Sequence, residues 1–266
     1  MRPRRILAVF ASLGLALSLG ACADDEPAVD GGRESLVIGV SLTEPGLSAA
    51  GPDGPVGFDV DVATYVARRL GWSDSEIEFR TVVATDRQSA LESGTVDMVV
   101  AAYAITAERA EGVAFAGPYL LAGQDLMVPF DNADVTGPHS LRGKVVCAAS
   151  GTAATAIRSP EYSAGATVRV LADTGACVEA LLSGRVDAVT ADDVVLTGYA
   201  AQHRGDVKVL GSPFTTEAYG IGLPKSSPDV DVINDVLQQM IDDGTWASDY
   251  EKALGTTAPL PPTPGG

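Results

Sequence analysis

Residues 90–101 read Ala-Leu-Glu-Ser-Gly-Thr-Val-Asp-Met-Val-Val-Ala, and residues 180–191 read Ala-Leu-Leu-Ser-Gly-Arg-Val-Asp-Ala-Val-Thr-Ala. Eight of the twelve positions are identical between the two segments. Each segment has the pattern of a helix end, a glycine that stops the helix, and a Val-containing strand. This internal repeat predicts two similar α/β lobes. The alternative is a chance match in a chain rich in Ala and Val.

Strand and helix patterns alternate on the N-terminal side of the first repeat segment. Leu36–Val40 has the composition of a strand. Apolar residues then recur at helical spacing over residues 60–70, and Gly71 marks the end of that helix. Further strands are predicted over residues 77–83 and 96–101. This alternation is typical of βαβ units and indicates an α/β fold with a largely parallel sheet.

The repeated strands also predict where a ligand binds. Ala102 follows the first of them and Asp192 follows the second, so the two residues occupy equivalent positions. Open α/β sheets bind ligands beyond the carboxyl ends of their strands. Two lobes that face each other at these ends are expected to enclose a small molecule in a cleft.

The first 21 residues have the layout of a signal peptide. Three arginines among residues 2–5 precede an apolar stretch over residues 6–19. That stretch is shorter than the roughly 20 residues that a membrane-spanning helix needs. Cys22 follows Leu-Gly-Ala directly, which resembles the lipobox of bacterial lipoproteins, so we expect lipid attachment at Cys22. The alternative is an ordinary secretory peptide whose cysteine is incidental.

Two cysteines remain once Cys22 is lipidated. Cys147 and Cys177 are 30 residues apart in a chain that the signal peptide directs to an oxidising compartment, where disulfides persist. We expect these two cysteines to form a disulfide. Two buried free thiols are the alternative.

Both ends of the mature chain lack a periodic apolar pattern. Residues 22–34 are charged and contain Pro and Gly, which predicts a flexible tether. Residues 256–266 contain four prolines, which predicts a disordered tail. Removal of residues 1–21 leaves 15 basic and 35 acidic residues and a net charge of −20. Such a charge argues against nucleic acid as a partner.

The sequence lacks the common motifs of catalysis and of metal or cofactor binding. His139 and His203 are far apart, and no Cys, His and Asp residues have metal-ligand spacing. No Gly-x-Ser-x-Gly elbow, P-loop or dinucleotide fingerprint occurs. We therefore expect no metal, no cofactor and no catalytic residue.

Two charged residues follow the repeated strands. The planar guanidinium of Arg109 suits a carboxylate, because it donates two parallel hydrogen bonds. With Thr106 as N-cap, however, the spacing alone favours Arg109 as a solvated helix residue. Asp192 is placed to receive an ammonium group, or to cap a helix that begins before Val194. Asp97 and Asp187, inside the repeat, are interpreted as structural.

A third candidate lies between a predicted strand at residues 144–148 and a helix predicted from Ala153. Gly151 and Thr152 offer backbone N–H groups and a hydroxyl to an anion at that helix start. A simple turn and cap explains these residues as well.

Five segments together resemble the extracytoplasmic amino-acid-binding proteins of ABC importers, solute-binding protein family 3, and most closely the glutamate-binding lipoproteins of actinobacteria. Each segment alone is modest, but their order is specific. The segments are Gly-Phe-Asp-Val-Asp-Val-Ala at residues 57–63, Ile105-Thr106 with Arg109, Phe-Ala-Gly-Pro-Tyr at 115–119 with Gly-Gln-Asp-Leu at 123–126, Lys-Val-Val-Cys at 144–147, and Tyr-Gly-Ile-Gly-Leu-Pro-Lys at 219–225.

The resemblance implies a two-lobed periplasmic-binding-protein fold of type II, with a cleft between the lobes. It implies two crossing strands, near Asp125–Pro129 and Ala218–Leu223. The first lobe is then expected to comprise residues 35–124 and 219–255, and the second residues 125–218.

The resemblance also implies roles for individual residues. Arg109 matches the arginine that holds the α-carboxylate of the ligand, and Asp192 the aspartate that holds the α-ammonium. Thr152 lies in the loop that completes the carboxylate site, and Arg87 matches an arginine that reaches the side-chain carboxylate in glutamate and aspartate binders. The full set of expected ligand-binding residues is Arg109, Asp192, Arg87, Thr152, Gly151, Ala102, Tyr103, Ala104, Thr43 and Ala84.

The sequence departs from the family at three of these places. Ala104 and Ala153 stand where hydroxyl side chains are usual, and Thr43 stands where the glutamate binders tend to carry Asp. The expected function is a monomeric, lipid-anchored receptor that delivers an L-amino acid, glutamate or aspartate, to an ABC permease. The rivals are a dehydratase-like enzyme on the same fold, for which Glu44 is the only candidate acid, and a sensing receptor without transport.

Overall fold

Two five-stranded sheets form the body of the computed structural model, which describes residues 34–150, 157–163 and 165–265. The first sheet contains, in spatial order, β5 (Ile77–Thr81), β1 (Leu36–Val40), β6 (Met98–Val99), β13 (Glu217–Pro224) and β7 (Val113–Ala122). The second contains, in spatial order, β10 (Thr167–Leu171), β9 (Val145–Ala149), β11 (Ala188–Asp192), β8 (Gln124–Pro129) and β12 (Val207–Val209). A small sheet consists of β2 (Thr43–Glu44), β3 (Ser48–Gly51) and β4 (Gly54–Val56).

Helices alternate with the strands along the described part of the chain. Those before residue 124 are α1 (Phe58–Arg69), α2 (Arg87–Glu92) and α3 (Ala107–Gly112). Those after it are α4 (Pro160–Ser163), α5 (Thr174–Leu182), α6 (Asp193–Gln202), α7 (Val230–Asp242) and α8 (Thr245–Leu254). Short 3-10 helices lie at Asp74–Glu76 and Pro138–Ser140.

The strand pairing confirms the α/β class and corrects its detail. β1 pairs in parallel with β5 and β6, and β9 pairs in parallel with β10 and β11. The remaining pairs of the large sheets are antiparallel, with β13 against β6 and β7, and β8 against β11 and β12. Each lobe is therefore mixed rather than largely parallel. The antiparallel strands are those that lead from one lobe into the other.

The internal repeat forms the same structure in both lobes. Asp97 Oδ2 accepts a hydrogen bond from Val37 N at 2.8 Å, and Asp187 Oδ2 accepts one from Val145 N at 2.7 Å. The backbone N–H of each aspartate donates to the carbonyl of the same valine. Each aspartate thus joins the start of its strand to the neighbouring parallel strand. The structural interpretation of both acids is confirmed.

The chain crosses between the lobes at Gly123, the one residue between β7 and β8. A Cβ at Gly123 would lie 2.2 Å from Thr215 O, in the segment that leads back into β13. Gln124 N also donates to Thr215 Oγ1 at 2.8 Å. The two connections therefore lie side by side, as the predicted crossing strands require.

The C-terminal helices pack on the first sheet's side of the molecule. Trp246 of α8 is buried, and its Nε1 donates to Tyr119 O at 2.7 Å. Its ring meets Phe58 of α1 edge-on at 5.7 Å between centroids. Burial of these aromatic rings ties α1 and α8 to β7.

The proline-rich tail contacts the body, in contrast to the expected disordered tail. Residues 256–265 form no helix or strand, which agrees with their lack of apolar periodicity. However, Gly265 N donates to Gly117 O at 2.8 Å, and Pro262 is buried. Residues 256–265 are therefore attached to the body by a backbone hydrogen bond and by packing of a proline. Apolar periodicity cannot predict either contact.

Several predictions from sequence lie outside the described residues. These are the signal peptide, Cys22, the tether up to residue 33, and the loop residues Gly151 and Thr152. Within the described ranges, no helix combines the length and the apolar character needed to cross a membrane.

The predicted disulfide is present. Cys147 in β9 and Cys177 in α5 are bonded through their sulfur atoms, and both residues are buried. The bond links a strand of the second sheet to the helix that follows β10.

Reduction of this disulfide should lower the free energy of unfolding by about 3 to 4 kcal/mol, because the bond closes a loop of 30 residues in the unfolded chain. Urea unfolding with and without dithiothreitol measures the effect. A variant with both cysteines replaced by alanine is the control, and the reductant should not change its midpoint. An unchanged midpoint for the parent protein would contradict the prediction.

Candidate ligand-binding site

A cavity of about 300 Å³ lies between the two lobes. Charged side chains from both lobes line it, and the carboxyl end of β11 opens into it. A larger depression of about 800 Å³ lies elsewhere on the second lobe, but none of the described residues that line it is basic. The residues of the smaller cavity used below are Glu44, Ala84, Arg87, Ala102, Ala104, Arg109, Asp192, Glu217 and Tyr219.

Arg109 points into this cavity even though it belongs to the first turn of α3. Thr106 is the N-cap of the helix, and its Oγ1 accepts from Arg109 N at 3.2 Å. The guanidinium turns back, and its Nη1 donates to Ala104 O at 2.7 Å. Each of the two interpretations of Arg109, as a site residue and as a solvated residue of a helix capped by Thr106, therefore holds in part. Thr106 caps the helix, and the side chain of Arg109 is half-buried at the site rather than fully solvated.

Two guanidinium groups share one aromatic ring. The Cζ atoms of Arg87 and Arg109 lie 5.4 Å and 5.2 Å from the ring centroid of Tyr103. Arg87 is 6% exposed, and its Nη1 is 3.5 Å from Ala102 O. Burial and the charge of Arg87 both lower the pKa of Arg109. Two cations held this closely favour an anionic ligand.

Tyr103 supports the site without lining it. Its side chain is buried between the arginines and Phe115, whose ring it meets at 4.9 Å between centroids. Tyr103 is therefore outside the cavity lining, and its direct contact with a ligand stays a prediction. Cation–π contact with both arginines is its role in the structure.

Asp59 holds the loop that follows β6, although no role at the site was predicted for it. Its Oδ2 accepts from Ala102 N at 2.9 Å, and its Oδ1 accepts from Tyr119 Oη at 2.8 Å. Ala102 has a φ of 47°, a conformation that L residues rarely adopt. Asp59 therefore fixes a strained turn whose carbonyl faces Arg87. The signal for it was its place in the Gly-Phe-Asp motif at residues 57–59.

Asp192 faces the arginines from the second lobe. It precedes α6, but its side chain makes no capping hydrogen bond, so the capping alternative does not hold. Asp193 Oδ1 instead accepts from Val194 N and Gly123 N. Tyr219 Oη donates to Asp192 Oδ2 from the crossing strand β13. Burial raises the pKa of Asp192 to about 6, and the bond from Tyr219 opposes this shift.

The first loop contributes Glu44 rather than the expected Thr43. The side chain of Thr43 is exposed and lies outside the cavity lining, whereas Glu44 lines the cavity. Successive side chains of a strand point to opposite faces. Thr43 therefore points away from the cavity when its neighbour Glu44 points into it. Ala84, Ala102 and Ala104 line the cavity as expected.

The lobes touch where α6 meets the first loop. Tyr199 Oη donates to Thr43 O at 2.6 Å. A Cβ at Gly198 would lie 1.7 Å from Pro45 O, so only glycine allows this approach. This contact joins the second lobe to the loop that carries Glu44.

Replacing Gly198 with alanine should weaken ligand binding about tenfold, because the added methyl group forces the lobes apart. The second lobe itself should not suffer, since alanine is favoured over glycine inside a helix by about 1 kcal/mol. Calorimetric titration and urea unfolding separate the two effects. Gln202→Ala on the same helix is the control and should bind like the parent. Equal binding by Gly198→Ala would show that the contact is not needed.

The fold and the site define a two-lobed binding protein for a small charged solute. The chain belongs to the bacterial extracellular solute-binding proteins, family 3, whose model matches residues 36–256. It is an amino-acid-binding protein of the ABC transporter type. Family and relatives are solute-binding proteins rather than enzymes.

Its relatives bind several amino acids. It is 37% identical over 270 residues to the glutamate-binding protein GluB of Corynebacterium glutamicum, covering 94% of this chain and 90% of GluB. It is 33% identical over 198 residues to the glutamine-binding protein GlnH of Bacillus subtilis, covering 74% and 71%. An ancestral arginine-binding protein bound to glutamine has a TM-score of 0.74 and 34% identity, covering 84% of this chain and 99% of that one.

Proposed function

We propose that this protein captures an acidic L-amino acid, glutamate or aspartate, and delivers it to an ABC permease. The observation that carries the proposal is the pair of guanidinium groups of Arg87 and Arg109, which enter one cavity opposite Asp192. The two guanidinium groups and Asp192 match the two carboxylates and the one ammonium of the ligand, and Glu44 and Glu217 also line the cavity.

Each charged group of the ligand has a partner under this proposal. Arg109 holds the α-carboxylate, Asp192 holds the α-ammonium, and Arg87 holds the side-chain carboxylate. Gly151 and Thr152, which lie outside the described residues, keep the carboxylate-binding role that the family resemblance implies. A cleft that excludes water needs such pairing, because an unpaired buried charge is costly.

Arg87 distinguishes this site from one for cationic amino acids. Among similar solved structures are arginine-binding proteins. A ligand with a cationic side chain would bring its charge toward the buried guanidinium of Arg87 here. Glutamine is the nearest competitor because its side chain has the same length as that of glutamate. The relative GlnH is named a glutamine-binding protein.

The experiment is a thermal unfolding screen of residues 23–266 against the twenty amino acids. A ligand at 100 times its dissociation constant stabilises a protein by about 2.7 kcal/mol. Glutamate or aspartate should produce the largest shift of the midpoint, and Arg87→Met should lose most of that preference. A larger shift with arginine, or none with any amino acid, would refute the proposal.

We also propose that lipid on Cys22 anchors the protein to the outer face of the membrane through the tether of residues 22–34. The arginines, the apolar stretch and the position of Cys22 support this. Cys22→Ala should release the protein into the medium and abolish incorporation of labelled fatty acid. Retention of the variant in the membrane fraction would argue against the anchor.

A further inference from the structure

Glu44 has no partner in the proposed mode of binding. It lines the cavity from β2, and its Oε1 lies 3.9 Å from Arg87 Nη2. Within the described part of the chain, Oε2 of Glu44 and Nε of Arg87 are buried and accept or donate no hydrogen bond. Buried charged groups are normally satisfied, so a pair left open at a cavity wall is arranged for a ligand.

The charges around Glu44 are mostly of its own sign. Arg87 is the cation that faces it, whereas the carboxyl groups of Asp59 and Asp192 face it from α1 and from the end of β11. The hydroxyl groups of Tyr119, Tyr199 and Tyr219 are also close enough for Glu44 to affect their pKa values. Burial raises the pKa of Glu44 to about 7, Arg87 opposes the shift, and both aspartates add to it.

The two protonation states of Glu44 present different partners to a ligand. When ionised, Glu44 neutralises Arg87, and the pair offers one acceptor and one donor. This pattern fits a carboxamide, whose NH2 group donates to Glu44 and whose carbonyl accepts from Arg87. When protonated, Glu44 donates its own hydrogen beside an uncompensated Arg87. That pattern fits a carboxylate.

We propose that Glu44 is a specificity-determining residue, an inference that rests on the proposed function. Through its own protonation, Glu44 selects between a ligand with a side-chain carboxylate and one with a side-chain carboxamide. Binding of glutamate then takes up a proton at Glu44. Binding of glutamine does not.

The test compares the affinities of the full-length mature protein for glutamate and glutamine by calorimetry from pH 6.5 to 8.5. Both ligands carry the same α-groups, so contributions of Arg109 and Asp192 cancel in the ratio of the two dissociation constants. The preference for glutamate should fall by up to tenfold per pH unit above about pH 7. The buffer dependence of the binding heat should show proton uptake with glutamate only.

Glu44→Gln removes the titrating group while keeping its shape. In this variant the ratio should be independent of pH, and at pH 8 the preference for glutamate should exceed that of the parent at least about tenfold. Glu217→Gln is the matched control. Glu217 lines the same cavity but lies near Arg109, which binds the α-carboxylate that both ligands share. It should keep the pH dependence of the parent.

The outcomes separate this inference from the proposed function. If both ligands bind but the ratio is flat in the parent, or keeps its slope in Glu44→Gln, the role of Glu44 is refuted and the receptor function stands. If neither ligand binds the parent, both are refuted. Should Glu44→Gln fail to fold, the proton uptake of the parent with each ligand decides the question alone.

Discussion

Arg109→Ala should bind the amino acid about 100-fold more weakly than the parent protein, or worse. The guanidinium is half-buried in the cavity, positioned by Ala104 O at 2.7 Å and by the ring of Tyr103. Removing one partner of a buried hydrogen-bonded charge pair costs about 2 to 5 kcal/mol. A loss of about 2.7 kcal/mol already corresponds to 100-fold in the dissociation constant.

The shape of the guanidinium contributes as well as its charge. Arg109→Lys keeps the charge but loses the planar fork that donates two parallel hydrogen bonds to one carboxylate. We expect its affinity to lie between those of the parent and the alanine variant. Neither variant should change the unfolding midpoint of the unliganded protein by much, because Arg109 stands in the cavity wall and not in a packed core.

Calorimetric titration with glutamate measures these losses directly. Arg80→Ala is a suitable control, since Arg80 is also an arginine of the first lobe but lies outside the cavity lining and forms a surface ion pair with Glu78. It should bind like the parent. If Arg109→Ala bound within about threefold of the parent, the assignment of the α-carboxylate site would be wrong, since a loss of that size is well below the cost of an unpaired charge.

The architecture was predictable because its signal is local. The repeat places an aspartate at the same point after each helix stop, and each aspartate makes the same bonds to the neighbouring strand. A pattern of helix end, glycine and strand needs no knowledge of distant contacts. The same pattern placed Arg109 and Asp192 after the repeated strands, whereas their roles in binding were implied by the family resemblance.

The inner wall of the site was not predictable in this way. Glu44 enters the cavity because of the orientation of a two-residue strand, and the neighbouring Thr43 was chosen instead. Asp59 lies 43 residues from Ala102, yet it holds that residue's N–H. Tyr219 reaches Asp192 from the other lobe. These contacts depend on tertiary packing, which periodicity and spacing do not record.

Acid should release the ligand through Asp192. The ammonium group of the ligand pairs only with the ionised carboxylate, and burial raises the pKa of Asp192 to about 6 in the unliganded protein. Binding therefore favours loss of the proton, so affinity is complete above pH 6 and is lost as the pH falls below it. The expected slope is up to tenfold per pH unit. Titrations between pH 4.5 and 6.5 measure it.

Asp192→Asn tests whether this residue is the source of the slope. The amide cannot carry the charge, so affinity at pH 7.5 should fall by about 100-fold, and the dependence on pH below 6 should flatten. Burial also raises the pKa of Asp59 to about 6 and raises that of Asp193, so these two residues are the candidates for any slope that survives in Asp192→Asn. Asp193→Asn removes the same charge one residue further on, and it should retain the slope of the parent.

The two titrations act in opposite directions on glutamate binding. Above about pH 7, ionisation of Glu44 weakens it, because a second negative charge then faces the ligand's side-chain carboxylate. Below about pH 6, protonation of Asp192 weakens it from the other end of the ligand. Affinity for glutamate should therefore pass through a maximum between these values. In Glu44→Gln the alkaline limb should vanish while the acid limb remains, and in Asp192→Asn the reverse should hold.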